Sequence, residues 1–248
     1  MPATGVSVSI RGLRKAFGAH VVLEGVDLDI PPGEIFVLMG PSGAGKSVLL
    51  RQLSGLEAPD AGRVEIGGRP VDEAIRDHFR LAFVFQSGGL LNSLTVAENV
   101  GLYLTEHRLA SPVECARRVA EKLALVGLDA GVGGKLPSEL SGGMRKRVAI
   151  ARAMTMDPQL VLFDEPTSEL DPLAAATVGR EIIQLNQRLG ATTVVVTHDR
   201  DLAFGIARQM AFMAEGRLVA QGTPAEIRAH PDPLLHRFLN AEFAPAHG

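Results

Sequence analysis

Five short segments of this 248-residue chain carry side chains that could work on a phosphate. The first is Gly40-Pro41-Ser42-Gly43-Ala44-Gly45-Lys46-Ser47, with Val48 behind it. In such a G-x-x-x-x-G-K-S run the glycines let backbone N–H groups converge on one phosphate oxygen, and the following helix adds its positive end. Lys46 supplies a point charge for the outer phosphates, and the Ser47 hydroxyl is a magnesium ligand. The second segment is Asp164-Glu165, which ends the apolar run Leu160-Val161-Leu162-Phe163. A carboxylate there holds the metal directly or through its water, and Glu165 can orient and deprotonate an attacking water. Gln86 can touch the metal or the water with its neutral amide, although a glutamine at a strand end is by itself more often solvated. His198, after Val194-Val195-Val196-Thr197, can donate to a terminal phosphate, although a lone histidine is more often structural. The fifth segment, Ser141-Gly142-Gly143, reads as a helix start: Ser141 caps, and the glycines leave N–H groups bare for an anion. Alone it is an ordinary cap. Beside a loop that already engages a phosphate, it implies two copies sharing one nucleotide.

Several elements must position these residues. Val6, Val8 and Ile10 alternate with small or polar residues, as do Val26, Leu28 and Ile30, so both segments predict half-buried antiparallel strands. Residues 35–39 are continuously apolar, as in a strand buried on both faces, and Lys46 to Ser54 can run as a helix after the glycine loop. Residues 63–66, 81–85, 160–163 and 192–197 read as further strands. From 87 to 158 the pattern is helical, with capping boxes at Thr95–Glu98 and Ser111–Glu114 and Pro112 at a first helical position. Val113, Ala116, Ala120, Leu123 and Leu128 are expected to share one apolar face. A helix opens at Asp171-Pro172 and closes at Gly190, a hairpin turns near Glu215-Gly216, and Thr223–Glu226 is another capping box. Residues 244–248 are expected to fray.

Bulk properties restrict the partners. A net charge of −3 provides no basic field for nucleic acid, and the Arg145-Lys146-Arg147 run reads as a solvated helix face. The single cysteine, Cys115, offers no disulfide framework and is expected to fill a small apolar gap. The N-terminal residues lack the charged and apolar regions of a secretory signal, and no apolar run approaches the roughly 18–20 residues needed to span a bilayer. A soluble chain is expected, with any membrane part supplied by another subunit.

Together the segments resemble the nucleotide-binding subunits of ABC transporters over essentially the whole chain. The resemblance implies an α/β P-loop NTPase fold: a RecA-like, mostly parallel core with an antiparallel β subdomain (1–86 and 159–248) and an inserted helical subdomain (87–158). It implies Walker A at Gly40–Ser47, the Q-loop at Gln86, the signature at Leu140–Met144 and Walker B at Leu160–Asp164 with catalytic Glu165. It also implies a D-loop at Ser168-Glu169-Leu170-Asp171, an H-loop at His198, and Phe17 stacked on adenine where the family usually has tyrosine. ATP and Mg2+ are the implied cofactors, with Ser47, Gln86 and Asp164 toward the metal. The implied partners are a second copy of the chain and a membrane permease gripped near residues 87–104, on the cytoplasmic face of the inner membrane. Met144 replaces the usual glutamine. Together with the segment Gln86–Val100, the Pro137–Met144 run and His230-Pro231-Asp232-Pro233, this resembles the Mce/Mla-type branch that moves phospholipids. That narrower likeness adds an Mce-domain lipid-binding protein and a small accessory subunit. An importer of small solutes uses the same engine and is the alternative. A non-transport ABC ATPase is disfavoured by a single cassette without linker or basic arm.

Overall fold

A computed structural model describes residues 5–71 and 78–240; the expected fraying at 244–248 lies outside the described residues. Among the described residues, ten strands form two sheets. The antiparallel sheet is ordered β2 (His20–Ile30), β1 (Val8–Phe17), β4 (Ala61–Ile66), β5 (Arg69–Pro70). The larger sheet runs β10 (Arg217–Gly222), β9 (Gln209–Ala214), β3 (Ile35–Met39), β8 (Thr192–Thr197), β7 (Leu160–Asp164), β6 (Leu81–Val84). Every pairing in it is parallel except that of β10 with β9.

The two sequence patterns found earlier correspond to these two environments. β1 and β2 alternate between buried and exposed positions, whereas every residue of β3, β7 and β8 is buried. Because successive strand side chains point to opposite faces, the central strands feed two separate cores. Phe36, Leu38, Leu160, Leu162, Val194 and Val196 pack toward the antiparallel sheet and α1 (Lys46–Leu53). Val37, Met39, Val161, Phe163 and Val195 pack toward the remaining helices. Those are α2 (Val96–Glu106), α3 (Pro112–Leu125), α4 (Gly142–Met154), α5 (Pro172–Leu189), α6 (Arg200–Ile206), α7 (Pro224–Ala229) and α8 (Pro233–Leu239). Residues 87–158 contain no strand, yet they have no private core: Val148, Ile150 and Met154 of α4 join the same cluster as the sheet.

The register of the central strands creates the site. Met39 pairs with Thr197, and Asp164 with Val196, so β3, β8 and β7 end level with one another. The next residues, Gly40, His198 and Glu165, therefore emerge along one edge, and Gln86 follows two residues after β6. Ligands of parallel α/β sheets bind at this carboxyl edge.

The local helix signals hold with two corrections. Thr95–Glu98 and Thr223–Glu226 form full capping boxes. At Ser111 only half of the box exists. Its Oγ accepts from the Glu114 N–H at 3.3 Å, but the Glu114 carboxylate is drawn away by Arg117 and Arg118, at 2.8 and 2.7 Å. Val113 is 82% exposed and Ala116 is exposed as well, so neither belongs to the buried face. The buried face of α3 is carried by Val119 and Leu123, with Cys115 half-buried above Gly101, where α2 and α3 approach too closely for a side chain on residue 101. Asn99 is fully buried and ties the segment after Gln86 to α2. Its Oδ1 accepts from the Leu91 N–H at 2.8 Å, and its Nδ2 lies 3.0 Å from the carbonyls of Leu91, Leu94 and Thr95.

Glu181 on α5 is a buried carboxylate with one oxygen 4.0 Å from Arg147 and the other without a partner. Burial pushes its carboxyl up to about 7, against the pull of Arg147 and Arg180. Between about 4.5 and 7 the folded chain holds a proton here that the unfolded chain has released, so stability falls as pH rises through that window. Glu181→Gln is expected to stabilise the fold by about 2–3 kcal/mol at pH 8 and by nearly nothing at pH 4.5. Urea unfolding at the two pH values measures this; an equal effect at both would contradict it.

Candidate functional site

The glycine loop begins where β3 ends, and two of its glycines are required by close approach. A Cβ on Gly40 would stand 2.0 Å from the carbonyl oxygen of Met213. Gly45, at φ +98°, would press a Cβ to 2.8 Å from the Val22 carbonyl oxygen. Gly45 is also the N-cap of α1 and offers no side-chain acceptor, so the first N–H groups of this helix face outward without a protein cap.

Lys46 is 5% exposed and folds back into the loop, donating to the carbonyls of Gly40 and Pro41 at 2.8 and 3.0 Å. Its ammonium is 3.6 Å from Glu165 Oε1. Burial pushes its pKa down and the Glu165 charge opposes that. The Ser47 hydroxyl donates to Asp164 Oδ1 at 2.8 Å. Asp164 is 9% exposed, and burial pushes its carboxyl up. A hydroxyl paired with a shielded carboxylate fits a hard divalent cation. Among the described residues no group of three or more His, Cys, Asp or Glu could cage a metal alone. That donor set suits Mg2+, which keeps several waters and takes further ligands from phosphate oxygens.

Glu165 sits at φ +46°, an unusual conformation for a residue with a side chain. Its N–H donates to the Val196 carbonyl at 3.0 Å. Oε2 accepts from Thr197 Oγ1 at 3.2 Å and from the His198 N–H at 3.3 Å, and lies 2.9 Å from His198 Nδ1. The end of β8 thus grips this carboxylate from three atoms, while Oε1 looks toward Lys46. His198, expected to reach a phosphate, is committed to Glu165 through Nδ1, and only Nε2 remains for another partner.

These residues wall a cleft of about 340 Å³ containing residues 42–48, Gln86, Glu165 and His198. Gly40 and Pro41 form its back through Lys46, and Asp164 lies beneath Ser47. His20 and Val22 of β2 complete the wall. Sequence reasoning missed both; only the tight β1–β2 turn, where Phe17 pairs with His20, carries them there. Phe17 is outside the wall and 47% exposed, with the Lys15 ammonium 5.4 Å from its ring centre. A larger hollow of about 480 Å³ between α2 and α3 is lined mainly by alanine, glycine and aliphatic carbon, and none of the phosphate-loop residues reaches it.

Ser141, Gly142 and Gly143 are not brought to this cleft. Ser141 caps α4, its Oγ accepting from the Met144 N–H at 3.2 Å, and the two glycines pack beside Leu170 and Ala174. The basic run that follows is not a solvated face. Lys146 is 7% exposed and its ammonium reaches inward to the carbonyl of Gln86. Arg147 donates to the Val126 and Gly127 carbonyls at 3.4 and 3.3 Å. No helix among the described residues is long and apolar enough to cross a membrane.

The family described as ABC transporter matches residues 23–168 of this chain. The sulfate/thiosulfate import ATP-binding protein CysA of Caulobacter vibrioides is 41% identical over 230 residues, 92% of this chain and 68% of that protein. A probable ribonucleotide transport ATP-binding protein, mkl, of Mycobacterium leprae is 40% identical over 243 residues, 95% of this chain and 69% of that protein. Against the Fe(3+) ions import protein FbpC of Rhizobium etli the chain spans 63% of that relative's length, at 42% identity over 224 residues, 90% of this chain. The fold matches the dimeric structure of the ATP-binding cassette MJ0796 with ADP and Pi, with a TM-score of 0.79, 32% identity and coverage of 88% and 98% of the two chains. The chain belongs to the ABC transporter family as an ATP-binding, ATP-hydrolysing cassette that uses Mg2+.

Proposed function

We propose that two copies of this chain close head to tail on two ATP molecules, each held by the glycine loop of one copy and Ser141 of the other. One observation carries this reading: Ser141, Gly142 and Gly143 form a helix start whose first N–H groups could receive an anion, yet none of the three lines the chain's own cleft. The dimeric MJ0796 cassette, similar in fold, supports it. In each site Lys46 and the N–H groups of residues 42–48 hold the β and γ phosphates, and Phe17 stacks on the base. Ser47, Asp164 and Gln86 hold Mg2+, which supplies charge neutralisation on the phosphates. Glu165 accepts a proton from the attacking water, and His198 keeps the Glu165 carboxylate in place while Nε2 addresses the γ-phosphate. Closure then pulls on a membrane permease seated near residues 87–104, with the chain peripheral to the membrane at its cytoplasmic face.

For the cargo, we propose a lipid. Met144 in the signature, the Gln86–Val100 segment and the His230–Pro233 run support it through their likeness to the Mce/Mla-type branch. An importer of a small solute is the second reading, favoured by the sulfate and ferric-ion import named for two relatives. Affinity purification of the native complex from membranes separates them. Bound phospholipid with an Mce-domain partner supports the first, and a solute-binding receptor the second.

Two substitutions test the engine. Asp164→Asn is expected to weaken Mg2+ affinity about 10–100-fold while metal-free nucleotide binding persists, as read by isothermal titration. Glu165→Gln should bind ATP normally and lose about 10²–10⁴-fold in turnover. High turnover by the single chain, unaffected by Ser141→Arg, would contradict the shared site.

A further inference from the structure

Lys146 has no part in the assignments above, yet it is the most completely enclosed cation of the signature helix. It stands on α4 five residues beyond Ser141 and is 7% exposed. Its three N–H donors meet three oxygens from two segments, one after β6 and one after β7. One is the carbonyl of Gln86, just past β6; a second is the carbonyl of Glu165, just past β7, at 3.4 Å; the third is Ser168 Oγ in the following turn, at 3.3 Å. Burial pushes this ammonium's pKa down, and the charges of Glu169, Glu165 and Asp164 oppose that. A buried charge is retained at a cost in solvation, so its geometry must be tightly paired to persist.

The choice of acceptors is informative. Lys146 holds the main chain of two residues whose side chains line the cleft, Gln86 and Glu165. A movement of α4 therefore moves both as whole residues, not only their flexible ends. The same helix starts at Ser141, and five residues of α-helix span about 7.5 Å with little give along the axis. A displacement at the helix start reaches the Lys146 backbone almost undiminished.

We propose that Lys146 is a positioning residue that couples the Ser141 helix start to the Gln86 and Glu165 main chain, so that engagement of Ser141 by the partner copy's nucleotide sets the geometry of the chain's own site. This rests on the two-copy reading given above. It makes the two sites interdependent within each chain: each copy offers Ser141 to one nucleotide and, through Lys146, adjusts the residues facing the other. Methionine at 146 would match the length of the lysine stem and donate nothing. Arginine would still present several donors to carbonyl oxygens, in a planar fork.

The test uses the full-length chain with wild-type, Lys146→Met and Lys146→Arg sequences. Fluorescent ATP analogue binding gives affinity, ATP titrations of turnover give kcat and the Hill coefficient, and thermal melting reports folding. Lys146→Met is expected to bind nucleotide within about twofold of wild type, lose about 10-fold or more in kcat and fall to a Hill coefficient near 1. Lys146→Arg should recover a large part of both. Unchanged kcat and cooperativity in Lys146→Met would overturn the coupling role. So would parallel losses of affinity, kcat and melting temperature that Lys146→Arg does not rescue, since those describe a purely structural lysine. If the wild type itself shows a Hill coefficient of 1 and ignores Ser141→Arg, the shared-site reading fails and the coupling role falls with it; if the wild type is cooperative and sensitive to Ser141→Arg while Lys146→Met behaves as wild type, the coupling role alone fails.

Discussion

The level ending of β3, β8 and β7 is the constraint on which the rest depends. Parallel pairing of Met39 with Thr197 and of Asp164 with Val196 delivers Gly40, His198 and Glu165 to one edge of the sheet. A slip of one residue in any of these strands would exchange its two faces, because side chains alternate. Here both faces are buried in different cores, so a slip would mismatch packing on both sides at once. Apolar packing far from any phosphate thus locks the register that chemistry needs.

On that edge, electrostatics is arranged around a buried opposition. Lys46 and Glu165 face each other at 3.6 Å, and each is also held by neutral or partly charged groups: Lys46 by two loop carbonyls, Glu165 by the end of β8. Neither charge is fully satisfied by the other. Such a site welcomes an anion beside Lys46 and a cation beside Asp164, and the two arrive together as a metal-bound nucleotide. The left-handed backbone at Glu165 keeps the carboxylate aimed there, at a cost of about 1–2 kcal/mol that the surrounding bonds offset.

Much of this was legible in residue order. The glycine loop, the buried runs at 35–39, 160–164 and 192–197, and most helix caps follow from local rules that the fold does not override. Three features were not legible, for definable reasons. His20 and Val22 reach the cleft only because β1 and β2 turn tightly, a contact between strands that no motif marks. Lys146 reads as surface within Arg145-Lys146-Arg147, because a run of charges says nothing about which one the helix turns inward. Val113 fits the apolar spacing of α3 but lies in its first turn and stays in solvent. The capping box at Ser111 failed for a related reason. Arg117 and Arg118, one turn on, compete for Glu114 more strongly than a backbone N–H does.

The central claim is that one nucleotide is enclosed by the glycine loop of one copy and Ser141 of another. Its most direct test is cross-linking with a short bifunctional thiol reagent, in a Cys115→Ala background, between a tagged Ser42→Cys chain and an untagged Ser141→Cys chain, with Glu165→Gln to prevent turnover. The account predicts a cross-linked heterodimer that forms with ATP and Mg2+ and not without nucleotide. Equal cross-linking with and without ATP, or none in either condition, would contradict it.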